Sequence, residues 1–170
     1  ESVRELKGEI KPQEAFETAL EIETDAYIPE TYIRSENRKL DIYKRIAAIS
    51  SQEAYDDMVE ELLDRFGEPP RPVQNLLKVA LLRSFAHECY VTDITQREGE
   101  IRFVLYERSP VDVAKIDAFV KSYRGRMAFK VDRQPCFIYH RIKGGGPPED
   151  TFTLIKEILE DIRGKLLCAS

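Results

Sequence analysis

The side chains with the clearest chemical potential in this chain are carboxylates that recur on one side of a predicted helix. Residues 60–70 read EELLDRFGEPP, the end of an amphipathic helix that stops at a glycine and two prolines. Its apolar side is predicted to carry Val59, Leu62, Leu63 and Phe66. Its opposite side carries Asp57, Glu60 or Glu61, and Asp64. Such a stripe can bind a basic partner by charge complementarity, but it provides no nucleophile, phosphate-binding loop or metal cage.

Two cations precede this helix on another predicted helix. Lys44 and Arg45 point away from its apolar positions, and within the acidic helix Glu61 and Arg65 are spaced as an i,i+4 ion pair. Two interpretations stay open for these charges. They form salt bridges between neighbouring helices, or they contact a partner, where arginine makes bidentate pairs that lysine cannot.

A basic strip occupies residues 121–143, with seven Lys/Arg against one Asp. Its candidate phosphate contacts are Arg124, Arg126, Arg141 and Lys143. Aromatic residues are interleaved with the cations, a composition typical of single-stranded nucleic-acid binding. Strand alternation offers the other interpretation, because it places Phe129 and Val131 on one face and Lys130 on the other, as in an ordinary half-buried sheet.

No motif for catalysis, cofactor binding or metal binding is found in the sequence. His87 and His140 have no Cys or carboxylate at ligand spacing. The glycine run at 144–146 is followed by two prolines, which lack the N–H donors of a phosphate-binding loop. Three widely separated cysteines argue against a disulfide framework and favour a reducing cytoplasm. We therefore expect no catalytic residue, no cofactor and no metal.

The composition is that of a globular protein, with 170 residues of which 42% are hydrophobic and 34% are charged. No segment approaches the ~20 apolar residues that a membrane-spanning helix needs. The net charge of −5 is unevenly distributed, since residues 1–70 carry 9 Lys/Arg against 18 Asp/Glu and the basic strip follows later. This asymmetry indicates surfaces of opposite sign.

Three helices are predicted first. One runs from about Asn37 to Ile49 with Leu40 and Tyr43 facing inward, and a capping box formed by Ser50 and Glu53 begins the next. The third begins near Pro72 and ends near Glu88.

Two hairpins and two helices follow. Residues 91–97 and 100–106 alternate around a Glu-Gly turn, and residues 126–132 and 136–143 form the second hairpin. A helix that begins at Ser109-Pro110, with Val113 inward, separates the hairpins, and another ends the chain. The predicted class is α+β: a three-helix segment followed by ββαββα, with an antiparallel sheet packed against helices.

Two separated runs carry a resemblance to a known family. Residues 38–47, RKLDIYKRIA, and the run EELLDRFGEPP stand in the order found in the C-terminal domain family of bacterial transcription-repair coupling factors, as does DAYIP at residues 25–29. The resemblance covers residues 18–91, and only the pattern of elements is compatible after residue 92. It implies a linker at residues 1–17 and a regulatory domain at 18–170, with a helical half at about 30–90 and a sheet half at about 91–170.

The resemblance also implies function and partners. Family members are ATP-dependent DNA translocases that remove stalled RNA polymerase, and their C-terminal domain is non-catalytic. It docks on the N-terminal helicase-subunit-like module of the same chain and masks the recruitment surface for the damage-recognition ATPase of excision repair. The interface residues implied here are Asp57, Glu61, Asp64, Arg65, Lys44 and Arg45. RNA polymerase and DNA are partners through the full-length protein. The alternative is a nucleic-acid-binding module that uses the basic strip.

Overall fold

The computed structural model describes residues 15–141 and 150–167, which form two compact units. The helical unit contains described residues 23–85 and 150–156. The sheet unit contains described residues 15–22, 86–141 and 157–167. Helices and a mainly antiparallel sheet are both present, which confirms the α+β class. Within the described ranges, no helix is both long and apolar enough to cross a bilayer.

The first three helices of the chain, α1 (Glu36–Ala47), α2 (Gln52–Phe66) and α3 (Arg71–Glu88), begin in the helical unit, and α3 continues into the sheet unit. Ser35 caps α1 by accepting a hydrogen bond from the Arg38 N–H. The predicted cap of α2 at Ser50 is wrong, because Ser51 Oγ accepts from the Ala54 N–H at 3.0 Å. Helix α2 ends at Gly67, whose φ of +88° is unfavourable for other residues.

The core of the helical unit is formed by aliphatic side chains from all three helices and from the segment before α1. Its fully buried members include Ile42, Ile46, Leu62, Val73 and Leu77. Phe66 packs against this core, as predicted. Leu40 and Leu63 do not, since they are 56% and 50% exposed. Each lies at the edge of its helix's buried side. Helical periodicity alone therefore assigned one residue too many to the buried face of each helix.

The extended segment before α1 is held against the helices by hydrogen bonds. Tyr43 Oη accepts the Ile28 N–H at 2.8 Å, and Asn75 Nδ2 donates to the Asp25 carbonyl at 2.9 Å. Tyr32 Oη donates to the Gly67 carbonyl at 2.7 Å. Side chains of the helices and of the segment itself therefore satisfy backbone groups that no regular element satisfies.

The sheet has five strands: β1 (Ala19–Glu21), β2 (Val91–Arg97), β3 (Glu100–Leu105), β4 (Met127–Val131) and β5 (Pro135–His140). Their order is β1-β2-β3-β5-β4, and only the β1–β2 pairing is parallel. Both predicted hairpins are present, and β2 and β3 turn at Glu98 and Gly99, both with positive φ.

Strand β1 is not among the elements predicted from the sequence, and the residues around it explain why it pairs with β2. Phe16 packs its ring on Tyr106 with centroids 4.7 Å apart and on His87 at 4.6 Å. Thr18 Oγ1 donates to the Val91 carbonyl at 2.6 Å. Phe16 and Thr18 precede the strand, and their contacts fix its register on β2. A three-residue strand with two exposed side chains has no periodic signal of its own.

One face of the sheet packs on the helix α4 (Ile116–Lys121), and a further helix, α5 (Thr151–Asp161), has its last residues in the sheet unit. Phe119 of α4 meets Phe137 edge-on at 5.0 Å. The start predicted for α4 is wrong. Asp112, not Ser109, caps the turn before it by accepting from the Ala114 N–H, and Val113 is 77% exposed.

We expect Tyr43→Phe to lower the free energy of unfolding by about 1 kcal/mol, because the buried Ile28 N–H loses its acceptor. Urea unfolding followed by circular dichroism at 222 nm measures this change. The matched control is Tyr27→Phe, since Tyr27 is 49% exposed, and it should change stability by less than 0.5 kcal/mol or so. Equal effects of the two substitutions would contradict the assigned role of the Tyr43 hydroxyl.

Candidate partner-binding surfaces

An acidic stripe runs along the outer side of α2. It consists of Glu53, Asp57, Glu60 and Asp64, which recur every three or four residues and are all exposed. Among the described residues, none of these four carboxylates forms an ion pair or a side-chain hydrogen bond. The stripe is therefore a line of uncompensated negative charge on a rigid helix.

A second charged group, next to the stripe, is satisfied within the unit. Glu61 accepts two hydrogen bonds from Arg45 on α1, each 2.5 Å long, and one from Arg65 at 2.8 Å. We call Arg45, Glu61 and Arg65 the interhelix ion-pair network. The planar guanidinium of Arg45 matches both carboxylate oxygens, so the network ties α1 to α2. The predicted i,i+4 pair of Glu61 and Arg65 is present.

The network changes the proton affinity of its carboxylate. Hydrogen bonds from Arg45 and then Arg65 lower the pKa of Glu61 from 4.5 to about 2. The same contact raises the pKa of Arg45. Because Glu61 is still 31% exposed, solvent screens the attraction, and the pairs contribute on the order of 1 kcal/mol rather than several.

The six interface residues expected from the sequence thus lie on two helices joined by the network, but they differ in availability. Arg45, Glu61 and Arg65 are paired with each other. Lys44, Asp57 and Asp64 are exposed and make no ion pair within the described ranges. The salt-bridge interpretation therefore holds for Arg45, and partner contact by Lys44 stays a prediction.

Three of the four candidate phosphate contacts lie at one end of the sheet. Arg124 and Arg126 immediately precede β4, and the Arg126 carbonyl accepts the His140 N–H at 2.7 Å. Arg141 follows β5 and donates its N–H to the Gly99 carbonyl at 2.7 Å. Lys143 lies outside the described residues.

The aromatic residues of the basic strip are inside the sheet unit. Phe129 pairs with Phe137, on the opposite face from Lys130, but Val131 is 68% exposed, so the predicted buried face extends only as far as Phe129. Phe137 and Tyr139 are 0% and 4% exposed. Tyr123 is also occupied, since its hydroxyl donates to Asp161 at 2.5 Å. These rings are therefore not available as a stacking platform for bases.

Neither unit has a constellation of catalytic type in its described part. Burial raises the pKa of the Cys89 thiol to about 12 and also raises that of Cys136, so both thiols are protonated at neutral pH. Among residues 15–141 and 150–167, no group of three or more His, Cys, Asp or Glu side chains is placed to hold a metal ion.

Comparison with known proteins decides the family. The model of the TRCF domain matches residues 22–116, more than half of the chain. This chain belongs to the TRCF domain family. The matched range contains all of α1, α2 and α3 and both strands of the first hairpin.

Three relatives of this TRCF-domain chain are each named transcription-repair-coupling factor. The transcription-repair-coupling factor of Bacillus subtilis is 29% identical over the whole chain, that of Staphylococcus haemolyticus is 36% identical over 62% of it, and that of Mycobacterium tuberculosis is 36% identical over 49% of it. The chain spans only about 15%, 9% and 7% of the lengths of these relatives.

The fold also has a counterpart among solved structures. A crystal structure of the C-terminal domain of a transcription-repair coupling factor superposes with a TM-score of 0.67 at 24% identity, covering 88% of this chain and 95% of the other. At that identity the match establishes the fold of the TRCF-domain chain.

Sequence reasoning missed members of both surfaces. Glu53, interpreted as part of a helix cap, extends the acidic stripe by one turn. Arg97 ends β2 at the same end of the sheet as Arg126 and Arg141, although it lies far from them in sequence. Helical spacing could have revealed the first, whereas the second required the strand register.

We expect Glu61→Gln to lower the free energy of unfolding by about 1 kcal/mol at pH 7, because both arginines lose their carboxylate. The pKa is lowered on folding, so this stabilisation is complete above about pH 4.5 and disappears as the pH falls toward 2. Urea unfolding at several pH values checks both statements.

The control for this prediction is Glu60→Gln, which removes an exposed carboxylate of the same helix that has no ion pair in the described structure. It should leave stability nearly unchanged across the same pH range. A difference between the two variants that is absent at pH 7, or that persists at pH 2, would be inconsistent with the network.

Proposed function

We propose that this chain is a non-catalytic regulatory module of a transcription-repair coupling factor. Its helical unit docks through the acidic stripe on the helicase-subunit-like module at the N-terminus of the same protein. In the docked state it masks the surface that recruits the damage-recognition ATPase of excision repair and restrains an ATP-driven DNA translocase. Engagement of stalled RNA polymerase releases the contact.

The observation that carries this proposal is the unpaired charge of the stripe. Asp57, Glu60 and Asp64 follow one another along a helix whose opposite side is fixed in the core by Met58 and Leu62. Rigid attachment lowers the entropic cost of presenting the carboxylates to a partner. Their exposure without internal partners supports a role in contacts made outside the unit.

The six residues divide into two roles in this proposal. Asp57 and Asp64 contact the basic partner directly, and Lys44 contributes at the margin of the surface. Arg45, Glu61 and Arg65 act as positioning residues, because their network orients α2 relative to α1. A substitution of Glu61 would weaken docking by disturbing that orientation as well as by changing charge.

The strength required of such a contact is modest. A docking free energy of about 1–3 kcal/mol favours the closed state over the open state by roughly 5–150-fold. That preference keeps the recruitment surface covered and still allows polymerase binding to reverse it. Because the contact is electrostatic and partly exposed, it should weaken as salt is added.

The decisive experiment is a calorimetric titration of this chain with the N-terminal helicase-subunit-like module supplied separately. We expect binding that weakens with salt and is reduced at least tenfold by Asp57→Lys/Asp64→Lys, which reverses charge on the stripe and leaves the interhelix ion-pair network in place. Thermal unfolding confirms that the variant is folded.

The matched control is Glu30→Lys/Glu107→Lys, which changes net charge equally at exposed carboxylates that are not part of α2. It should bind the module with nearly unchanged affinity. Binding that both double variants lose equally would reflect net charge alone and contradict docking through the stripe. Absence of any binding to the module, even when it is fused to the chain through a flexible linker, would reject the proposed function.

A further inference from the structure

The end of the sheet where β2 and β5 finish and β4 begins is rich in arginine. Strand register places Arg97 opposite Glu100, Glu100 opposite His140, and His140 beside Arg126. Arg124 and Arg141 lie one or two residues away along the chain. We call Arg97, Arg124, Arg126 and Arg141 the arginine rim.

The members of the rim come from three separate stretches of chain, so their grouping is a product of the fold. Neighbouring strands lie about 4.8 Å apart, which gives the rim a width of about 14 Å from β2 to β4. Arg97, Arg124 and Arg126 are exposed, and Arg141 is half-buried. Among the described residues, Glu98 and Glu100 are acidic and share this end of the sheet, so their formal charges and those of the four rim arginines sum to +2.

Within the described structure, neither Glu98 nor Glu100 forms an ion pair with an exposed arginine of the rim. Glu100 interacts with Arg102 at 3.6 Å and with His140 at 3.9 Å, neither of which belongs to the rim. Arg126 has a long contact of 3.5 Å with the Tyr139 hydroxyl, an uncharged group. Arg97 and Arg124 form no ion pair within the described structure. Exposed guanidinium groups that form no ion pair within the described structure are suited to bidentate contact with phosphate oxygens.

We propose that the arginine rim binds the phosphate backbone of duplex DNA. The surface fits nucleic acid better than an acidic protein, because the large exposed apolar side chains of residues 15–141 and 150–167 (Tyr27, Leu40, Leu63, Val113 and Val131) are all outside the rim. Protein–DNA interfaces are polar and positively charged, whereas the centres of protein–protein interfaces are enriched in aromatic and apolar residues.

The burial of the nearby aromatic rings favours contact with the phosphate backbone of a duplex over contact with unstacked bases. Phe137 and Tyr139, the aromatic residues closest to the rim in β5, are buried and cannot stack with bases. Phosphate contacts alone give weak, sequence-independent and strongly salt-dependent binding. This activity is independent of docking through the acidic stripe, which lies on the other unit.

Fluorescence anisotropy of a labelled 20-base-pair duplex, titrated with this chain at several salt concentrations, tests the proposal. We expect binding in the micromolar range at 50 mM salt. Arg124→Gln/Arg126→Gln should weaken it about tenfold or more and reduce the slope of log affinity against log salt by about 2, one for each lost phosphate contact. Arg97→Gln, on a different strand, should reduce the slope by about 1.

The matched control is Arg38→Gln/Arg108→Gln, which removes two exposed arginines outside the rim. It should change affinity by less than twofold, and a single strand of equal length should bind no tighter than the duplex. Three results would overturn the proposal: no duplex binding at 50 mM salt, equal loss in the control variant, or displacement of the duplex by polyglutamate at equal charge. The last result would assign the rim to an acidic protein.

Discussion

Burial of one side of α2 is the constraint on which the helical unit depends. Met58 and Leu62 must enter the core that Ile42 and Ile46 of α1 also occupy, so the remaining positions of α2 are forced to the boundary or to the surface. Glu61 lies at the boundary and uses its position to bind Arg45 across the helix pair. Carboxylates one step further around the helix have no such neighbour. The hydrophobic effect thus decides which charges stabilise the fold and which remain for a partner.

The two sequence runs that identify the family serve mainly to build the fold. Tyr43 holds the segment before α1, Arg45 and Glu61 join two helices, and Gly67 ends α2 while accepting a bond from Tyr32. Of the charged residues in the EELLDRFG run, Asp64 and Glu60 are the ones that the unit leaves unpaired. A family motif therefore contains residues that stabilise the fold and residues that remain for a partner. The three-dimensional structure is needed to tell the two kinds apart.

What the sequence could predict follows from the range of the interactions involved. Helix stops and hairpin turns depend on local chemistry, so the end of α2 at Gly67 and the turn at Glu98-Gly99 were predicted correctly. Strand β1 was not, because its pairing depends on Phe16 meeting His87 and Tyr106, which are distant in sequence. The membership of Arg97 in the arginine rim depends on register across four strands, and no local pattern encodes it.

The separation of charge between the two units allows one chain to address partners of opposite sign. The acidic stripe is on the helical unit and the arginine rim is on the sheet unit. At physiological salt the attraction between exposed charges extends over only about 8–10 Å, so each surface attracts mainly the groups in contact with it. In the proposed docking the acidic stripe needs no high intrinsic affinity, because its partner belongs to the same molecule and the tether supplies an effective concentration on the order of millimolar. Under this proposal, a few carboxylates without ion pairs in the described structure suffice for a contact that forms readily and can still be reversed.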